Sequence, residues 1–273
     1  MPFAAVHFLF SCVSSNMSAN DYSPAWEVYF CHIEEQPAFV STDLGLAEMA
    51  PIASKPNLME VAVALRTADE SGFPEAAEWG MLEKIEDAVV QLLEEQLEAL
   101  FVGKTLHSGK RGLYFYGEQT LALDNCVEEI KKKFPDYLIV SQATEDADWE
   151  VYFNYLYPDE ESMQRIQNTR VLQELEEQGD QAYVPRPITH YLYFQTTAER
   201  QTAGKSLEEQ GYTLDAVVEE PEEEVYTYKL VVTRPDKADE ETINEVTSAL
   251  LRLARHHNGE YDGWEAPVIT DNA

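Results

Sequence analysis

Positive charge is what this sequence has least of. Its 273 residues hold 19 Lys and Arg against 51 Asp and Glu, for a formal net charge of −32. A surface that negative repels phosphate backbones and anionic lipid, so direct nucleic-acid binding and membrane-surface binding both start at a disadvantage. It favours a basic partner, although strong acidity also serves solubility alone. Cysteine is scarce too. Cys12, Cys31 and Cys126 are odd in number, widely scattered and form no C-x-x-C pair. That excludes a disulfide framework and points to a reducing compartment. The apolar stretch from Phe3 to Phe10 contains His7, lacks a basic region before it and is far too short to span a bilayer. The expected location is therefore the cytoplasm. Residues 1–20 read as a disordered leader, with Met17 as an alternative start.

Catalytic motifs are missing as well. No G-x-x-x-x-G-K-[ST] or G-x-G-x-x-G element is present to cradle phosphates, and no H-E-x-x-H presents zinc ligands on a helix face. His256 and His257 are adjacent, so on a helix they point about 100° apart and make a poor metal pair. Cys31 and Cys126 fall in apolar elements, where a buried, inert thiol is the usual fate. Paired carboxylates carry no information among 51 acids. The sequence supports no enzyme, no catalytic residue, no metal site and no cofactor.

Aromatic residues, in contrast, are plentiful: 15 Tyr, 11 Phe and 4 Trp, within a hydrophobic content of 44 %. That is enough for real cores and excludes a disordered acidic chain. The length suits one large or two ordinary domains. Trp26 to Ile33 alternates as a strand. Its pentapeptide Trp26-Glu-Val-Tyr-Phe30 recurs as Trp149-Glu-Val-Tyr-Phe153, which reads as two neighbouring strands of one sheet. Between them, Leu58 to Arg66 is a strand, and Gly72-Phe-Pro74 opens a helix running to about Leu100. Phe101 to His107 and Leu113 to Tyr116 flank Ser108-Gly109, a hairpin signal. Leu121 to Lys133 is a helix and Tyr137 to Gln142 a strand. The order is β-α-β-β-α-β, the ferredoxin-like arrangement, extended by further strands.

Met163 to Gln178 is a polar helix stopped by Gly179, and Val184-Pro-Arg-Pro187 reads as the linker. The expected domains are 21–182 and 183–273. In the second, Ile188 to Phe194 is a strand. A helix capped by Thr197 runs to Gln210 and stops at Gly211. Strands Tyr212 to Val218 and Tyr226 to Val232 follow, and Asp239 caps a helix carrying Ile243, Val246, Leu250 and Leu253. Gly259 to Glu265 is the turn and last strand. The same β-α-β-β-α-β order recurs. The fold class is therefore α+β: two ferredoxin-like domains with antiparallel sheets, the first one extended.

Two segments stand out as candidate partner-binding sites. Glu222, Glu223 and Glu224 belong to an acidic run between strands, either a solvated loop or a docking patch for a basic groove. Glu260, Tyr261, Asp262, Gly263, Trp264 and Glu265 place two large aromatics and three carboxylates around a glycine. Such aromatics serve as interface anchors; equally, Trp264 could seal the core with Gly263 forming a bulge. The aromatic strands Tyr191-Leu-Tyr-Phe194 and Tyr226-Thr-Tyr228 raise base stacking as an option. However, the half from Tyr183 onward has 8 basic against 18 acidic residues, so packing is the better reading of those tyrosines.

Gly259-Glu-Tyr-Asp-Gly-Trp-Glu265, after a helix rich in Leu and Ala, resembles the C-terminal signature of the RraB family, regulators of ribonuclease E activity. The resemblance covers roughly the last ninety residues. The first domain is similar to an uncharacterised bacterial family found fused to RraB-like domains, through Trp26-Glu-Val-Tyr29, Gly72-Phe-Pro74, Gly109 to Tyr116 and Trp149-Glu-Val-Tyr152. The resemblance implies a non-catalytic protein that binds and inhibits a ribonuclease E-type endonuclease, whose RNA-binding regions are basic. The competing expectation, from charge alone, is an immunity or antitoxin protein that neutralises a basic nuclease toxin.

Overall fold

The computed structural model describes residues 22–219 and 226–270, and it divides the chain into two compact units between Ser162 and Met163. The leader and Glu222, Glu223 and Glu224 lie outside the described residues. Among the described residues no helix is long and apolar enough to cross a membrane.

The first unit opens with a hairpin, β1 (Trp26–Ile33) and β2 (Gln36–Asp43). Its two-residue turn, Glu34-Glu35, has both φ angles positive, 52° and 65°, as the right-handed twist of a tight hairpin requires. Then come β3 (Asn57–Ala64), α1 (Trp79–Leu97), β4 (Leu100–His107), β5 (Lys110–Gly117), α2 (Leu123–Lys133) and β6 (Ile139–Glu145). Ser108-Gly109 forms the expected turn between β4 and β5, with φ of 49° and 71°. The six strands are ordered β1-β2-β4-β5-β3-β6, all antiparallel. The last four reproduce the ferredoxin-like order, and the hairpin extends it at one edge. Leu82, Ile85, Val89, Leu93 and Leu97 of α1 recur with helical spacing and bury against Met59, Val61, Val63, Leu113 and Phe115 of the sheet.

Two expectations are corrected here. Helix α1 starts at Trp79, not at Gly72-Phe-Pro74. The carboxylate of Glu78 accepts hydrogen bonds from the backbone N–H of Arg66 and Thr67 (2.7 and 2.9 Å) and from the Thr67 hydroxyl (2.7 Å), which holds the preceding loop against the end of β3. The second Trp-Glu-Val-Tyr-Phe copy is not a strand either. Trp149 has φ of 57°, and the Asp146 carboxylate caps the N–H groups of Glu150 and Val151 (2.8 and 3.0 Å). The chain then makes a π-helical turn over Tyr152–Leu156. This turn lies on the sheet face opposite the helices. Trp149 stacks on Tyr116 with centroids 4.0 Å apart, and the Tyr152 hydroxyl donates to the Asp43 carbonyl at 2.8 Å.

The second unit contains most of α3 (Glu160–Glu177), then β7 (Arg186–Phe194), α4 (Thr197–Glu209), β8 (Thr213–Glu219), β9 (Tyr228–Asp236), α5 (Glu240–His256) and β10 (Gly259–Glu265). Its sheet is ordered β10-β7-β9-β8, again antiparallel and ferredoxin-like. Thr196, one residue before the expected cap, accepts from Glu199 N–H, and Asp239 caps α5 through Thr242 N–H. The division falls well ahead of Val184-Pro-Arg-Pro187. That stretch leads into β7, and the Arg186 side chain is buried, ion-paired with Asp180 and donating to the Pro267 carbonyl at 3.1 Å. Helix α3, polar as it is, sends Leu175 into a cluster with Ile188, Ile243 and Trp264.

Candidate partner-binding surface

The last strand, β10, is positioned by its pairing with β7. The helix-facing side of β7 carries Ile188, Leu192 and Phe194, all fully buried. Register then decides the fate of each residue opposite. Tyr261 lies across from Leu192 and Trp264 across from His190, so both aromatics turn inward. Glu260, Gly263 and Glu265 pair with Tyr193, Tyr191 and Thr189, on the sheet's other face. The register shifts between Tyr261 and Gly263, where Asp262 is left exposed and Gly263 has φ of +115°. This is the bulge, and it is what lets Tyr261 and Trp264, three residues apart, share a face. Gly259 is required for close approach: a Cβ there would stand 2.5 Å from the Tyr193 carbonyl oxygen.

The inward aromatics satisfy their polar atoms. Trp264 Nε1–H donates to Asn168 Oδ1 at 2.9 Å. Asn168 is fully buried and completes its capacity: its Nδ2 donates to Asn244 Oδ1 and Thr247 Oγ1, both at 2.8 Å, and its Oδ1 also accepts from Gln164 Nε2 at 3.0 Å. The Tyr261 hydroxyl lies 2.9 Å from His190 Nδ1. Burial, with Arg234 adding to it, pushes the His190 imidazole down to about 3, so it is neutral and bonds as a neutral ring. Burial likewise pushes the Tyr261 phenol well up.

The outward face has a different character. Tyr191 and Tyr193 of β7 flank the Lys229 ammonium of β9, which lies 5.1 and 4.9 Å from their ring centroids. Burial and a hydrogen bond to the Glu265 carboxylate raise the Tyr191 phenol. Thr189 and Thr233 join hydroxyls across the strands at 3.0 Å. Glu260 and Asp262 are exposed beside this face and Glu265 is half-buried. Of the six predicted residues on β10, then, the structure leaves Glu260 and Asp262 exposed, Gly263 and Glu265 half-buried, and Tyr261 and Trp264 buried. Asn168 and His190 escape sequence reasoning altogether, because a lone Asn in a polar helix and a lone His in a strand carry no motif. Elsewhere, Cys126 is buried, Cys31 half-buried, and among the described residues no group of three or more His, Cys, Asp or Glu could hold a metal ion.

Two family models match the chain. Residues 165–266 match Regulator of ribonuclease activity B, and residues 24–157 match DUF695, a family of unknown function. The chain joins a DUF695 domain to an RraB domain. The RraB match spans α3 through β10, so the family boundary agrees with the structural division and includes Asn168 together with Trp264. That family is described as a regulator of ribonuclease activity. No curated protein matches the chain. Among solved structures, an unknown protein from Galdieria sulphuraria is 10 % identical, covering 78 % of this chain and 99 % of its own, with a TM-score of 0.22. A protein assigned as a glycine cleavage system transcriptional repressor is 7 % identical over 78 % and 98 %, with a TM-score of 0.23. The fold assignment rests on the two strand orders instead.

Proposed function

We propose that this chain is a non-catalytic, cytoplasmic inhibitor that binds a ribonuclease E-type endonuclease through protein–protein contact. The observation that carries the reading is the RraB match over 165–266, which covers a complete ferredoxin-like unit with its buried polar network in place. In this reading the contact is made by Glu260, Asp262 and Glu265 at the outer side of β10, joined by Glu222, Glu223 and Glu224. These carboxylates suit a basic RNA-binding region, and electrostatic attraction would set the on-rate and its salt dependence. Tyr261 and Trp264 act from within, holding β10 in register.

The test is calorimetric titration of the whole chain into ribonuclease E, with an RNA-cleavage assay alongside. Binding with inhibition is expected, weakened at least tenfold in Glu260→Lys/Asp262→Lys/Glu265→Lys. No binding at micromolar concentration and low salt would overturn the reading. A second reading has its own support: 33 of the 51 acidic residues precede Tyr183, in the part the RraB match barely reaches. That distribution suits an immunity protein against a basic nuclease toxin, and a neighbouring toxin gene would favour it.

A further inference from the structure

The first unit carries a surface that the ferredoxin-like core leaves without a cover. Strands lie about 4.8 Å apart and a helix with its side chains is about 10 Å across, so two helices roof about four strands. Here α1 packs over β4 and β5 and α2 against β6, and the hairpin β1–β2 projects beyond them. On the side facing α1 the hairpin presents Trp26, Val28, Phe30 and Phe39, exposed at 42, 62, 41 and 40 %. Four large apolar side chains side by side in water mark a surface that something else covers.

At its Trp26 end this face opens beside α1 into a groove of about 730 Å³, which Ser41 and Asp43 of β2 also line. Trp26 stacks on Phe101 at its base, with centroids 5.2 Å apart. Its wall is the outer side of α1, where Asp87, Glu94 and Glu95 flank Val90. The cations present, Lys104 and Arg111, both turn to Glu86. The groove is therefore aromatic at Trp26 and Phe101 and negative along α1 and at Asp43.

We propose that this groove, together with the exposed Val28 and Phe30 that continue the same face of β1 beyond it, docks a basic amphipathic helix of a partner protein, its apolar face on Trp26, Val28 and Phe30 and its Lys or Arg side chains toward α1. Charge complementarity selects that occupant. A second copy of this chain carries −32 and would bring like charge to the wall, and residues 1–21 contain no Lys or Arg to answer it. Aromatic floors also hold guanidinium and ammonium groups through their faces. The proposal concerns the DUF695 domain alone and stands or falls separately from the ribonuclease reading.

The probe is a synthetic peptide of about five helical turns, Leu on one face and Lys on the other, titrated calorimetrically into the full chain at physiological salt. A scrambled peptide of the same composition is the control. Micromolar binding is expected for the patterned peptide, at least tenfold weaker for the scrambled one. A loss of tenfold or more is expected in Val28→Asp, and separately in Glu94→Lys, which sits on an exposed helix face and leaves the fold intact. Equal affinity for the scrambled peptide, or unchanged affinity in Glu94→Lys, would overturn the proposal. So would a dimer in sedimentation that Val28→Asp dissolves, which would make a second copy the occupant. A tenfold gain on deleting residues 1–21 would assign the groove to the chain's own N-terminus and would overturn it too.

Discussion

The indole N–H of Trp264 donates to the side-chain oxygen of Asn168 across 96 residues of sequence, at 2.9 Å. The bond ties β10, the end of the RraB unit, to α3, its beginning. It explains why a helix as polar as α3 belongs to this unit, because an indole N–H buried without a partner costs about 1–3 kcal/mol.

Asn168→Ala is therefore expected to destabilise the second unit by about 2–4 kcal/mol, since it removes the partner of Trp264, Gln164 and Asn244 together. Trp264→Phe removes one donor only and costs less. In urea unfolding the double variant is expected to fall short of the summed singles by at least about 0.5 kcal/mol, the mark of residues in one network. Strict additivity would show that the bond contributes nothing.

The two copies of Trp-Glu-Val-Tyr-Phe make a controlled comparison. Trp149 is fully buried against Tyr116 and donates its indole N–H to the Lys55 carbonyl at 3.0 Å, whereas Trp26 is 42 % exposed on the edge strand. Trp149→Ala is expected to cost about 3–5 kcal/mol. Trp26→Ala, which leaves no closed cavity, is expected to cost about 1 kcal/mol or less. Equal losses in denaturant titration would contradict the placement of the second copy under the sheet.

Glu78 gives the first unit a pH signature. Burial works to raise its carboxyl, but the hydrogen bonds from Arg66 N–H and from the Thr67 hydroxyl and N–H outweigh it and hold the group below its ordinary 4.5. A depressed carboxyl stabilises fully above the unfolded value and loses that contribution as pH falls through the folded one. Glu78→Gln is thus expected to lower stability by about 2 kcal/mol at neutral pH, with the difference from wild type shrinking below pH 4.5. A difference independent of pH would leave the carboxylate without this role.

His190 gives the second unit the opposite kind of group with the same sign of slope. Its imidazole falls from 6.5 to about 3 through burial and the nearby Arg234. Below pH 6.5 the unfolded chain takes up a proton that the folded one refuses, so stability declines as pH drops from 6.5 toward 3. His190→Gln keeps a polar partner for Tyr261 without titrating, and its unfolding free energy is expected to depend less steeply on pH across that window. Parallel curves for the two proteins would refute the assignment.

Much of the fold is legible in the residues because its signals are local. The switch between alternation of two and recurrence at 3.6 marks each strand and helix, Ser108-Gly109 names the turn between β4 and β5, and Asp239 names the start of α5. Two β-α-β-β-α-β runs follow, and the right strand orders with them. The failures share a cause. Glu78 delays α1 by bonding to residues 11 and 12 positions earlier, and Asp146 with Trp149 turns a β-rich pentapeptide into a π-helical turn under a distant strand. Neither partner is visible in the segment it redirects.

The site divides in the same way. The sequence by itself determined that Gly259 to Glu265 combines aromatics, carboxylates and a glycine suited to a bulge, and that acidic residues outnumber basic ones by 51 to 19. Only the tertiary structure decided that Tyr261 and Trp264 face inward while Glu260 and Asp262 face out. A strand's alternation says that neighbours part company, but not which of the two faces is the core. That choice is made by His190 and Asn168, 71 and 96 residues away, which supply the polar partners two buried aromatics need.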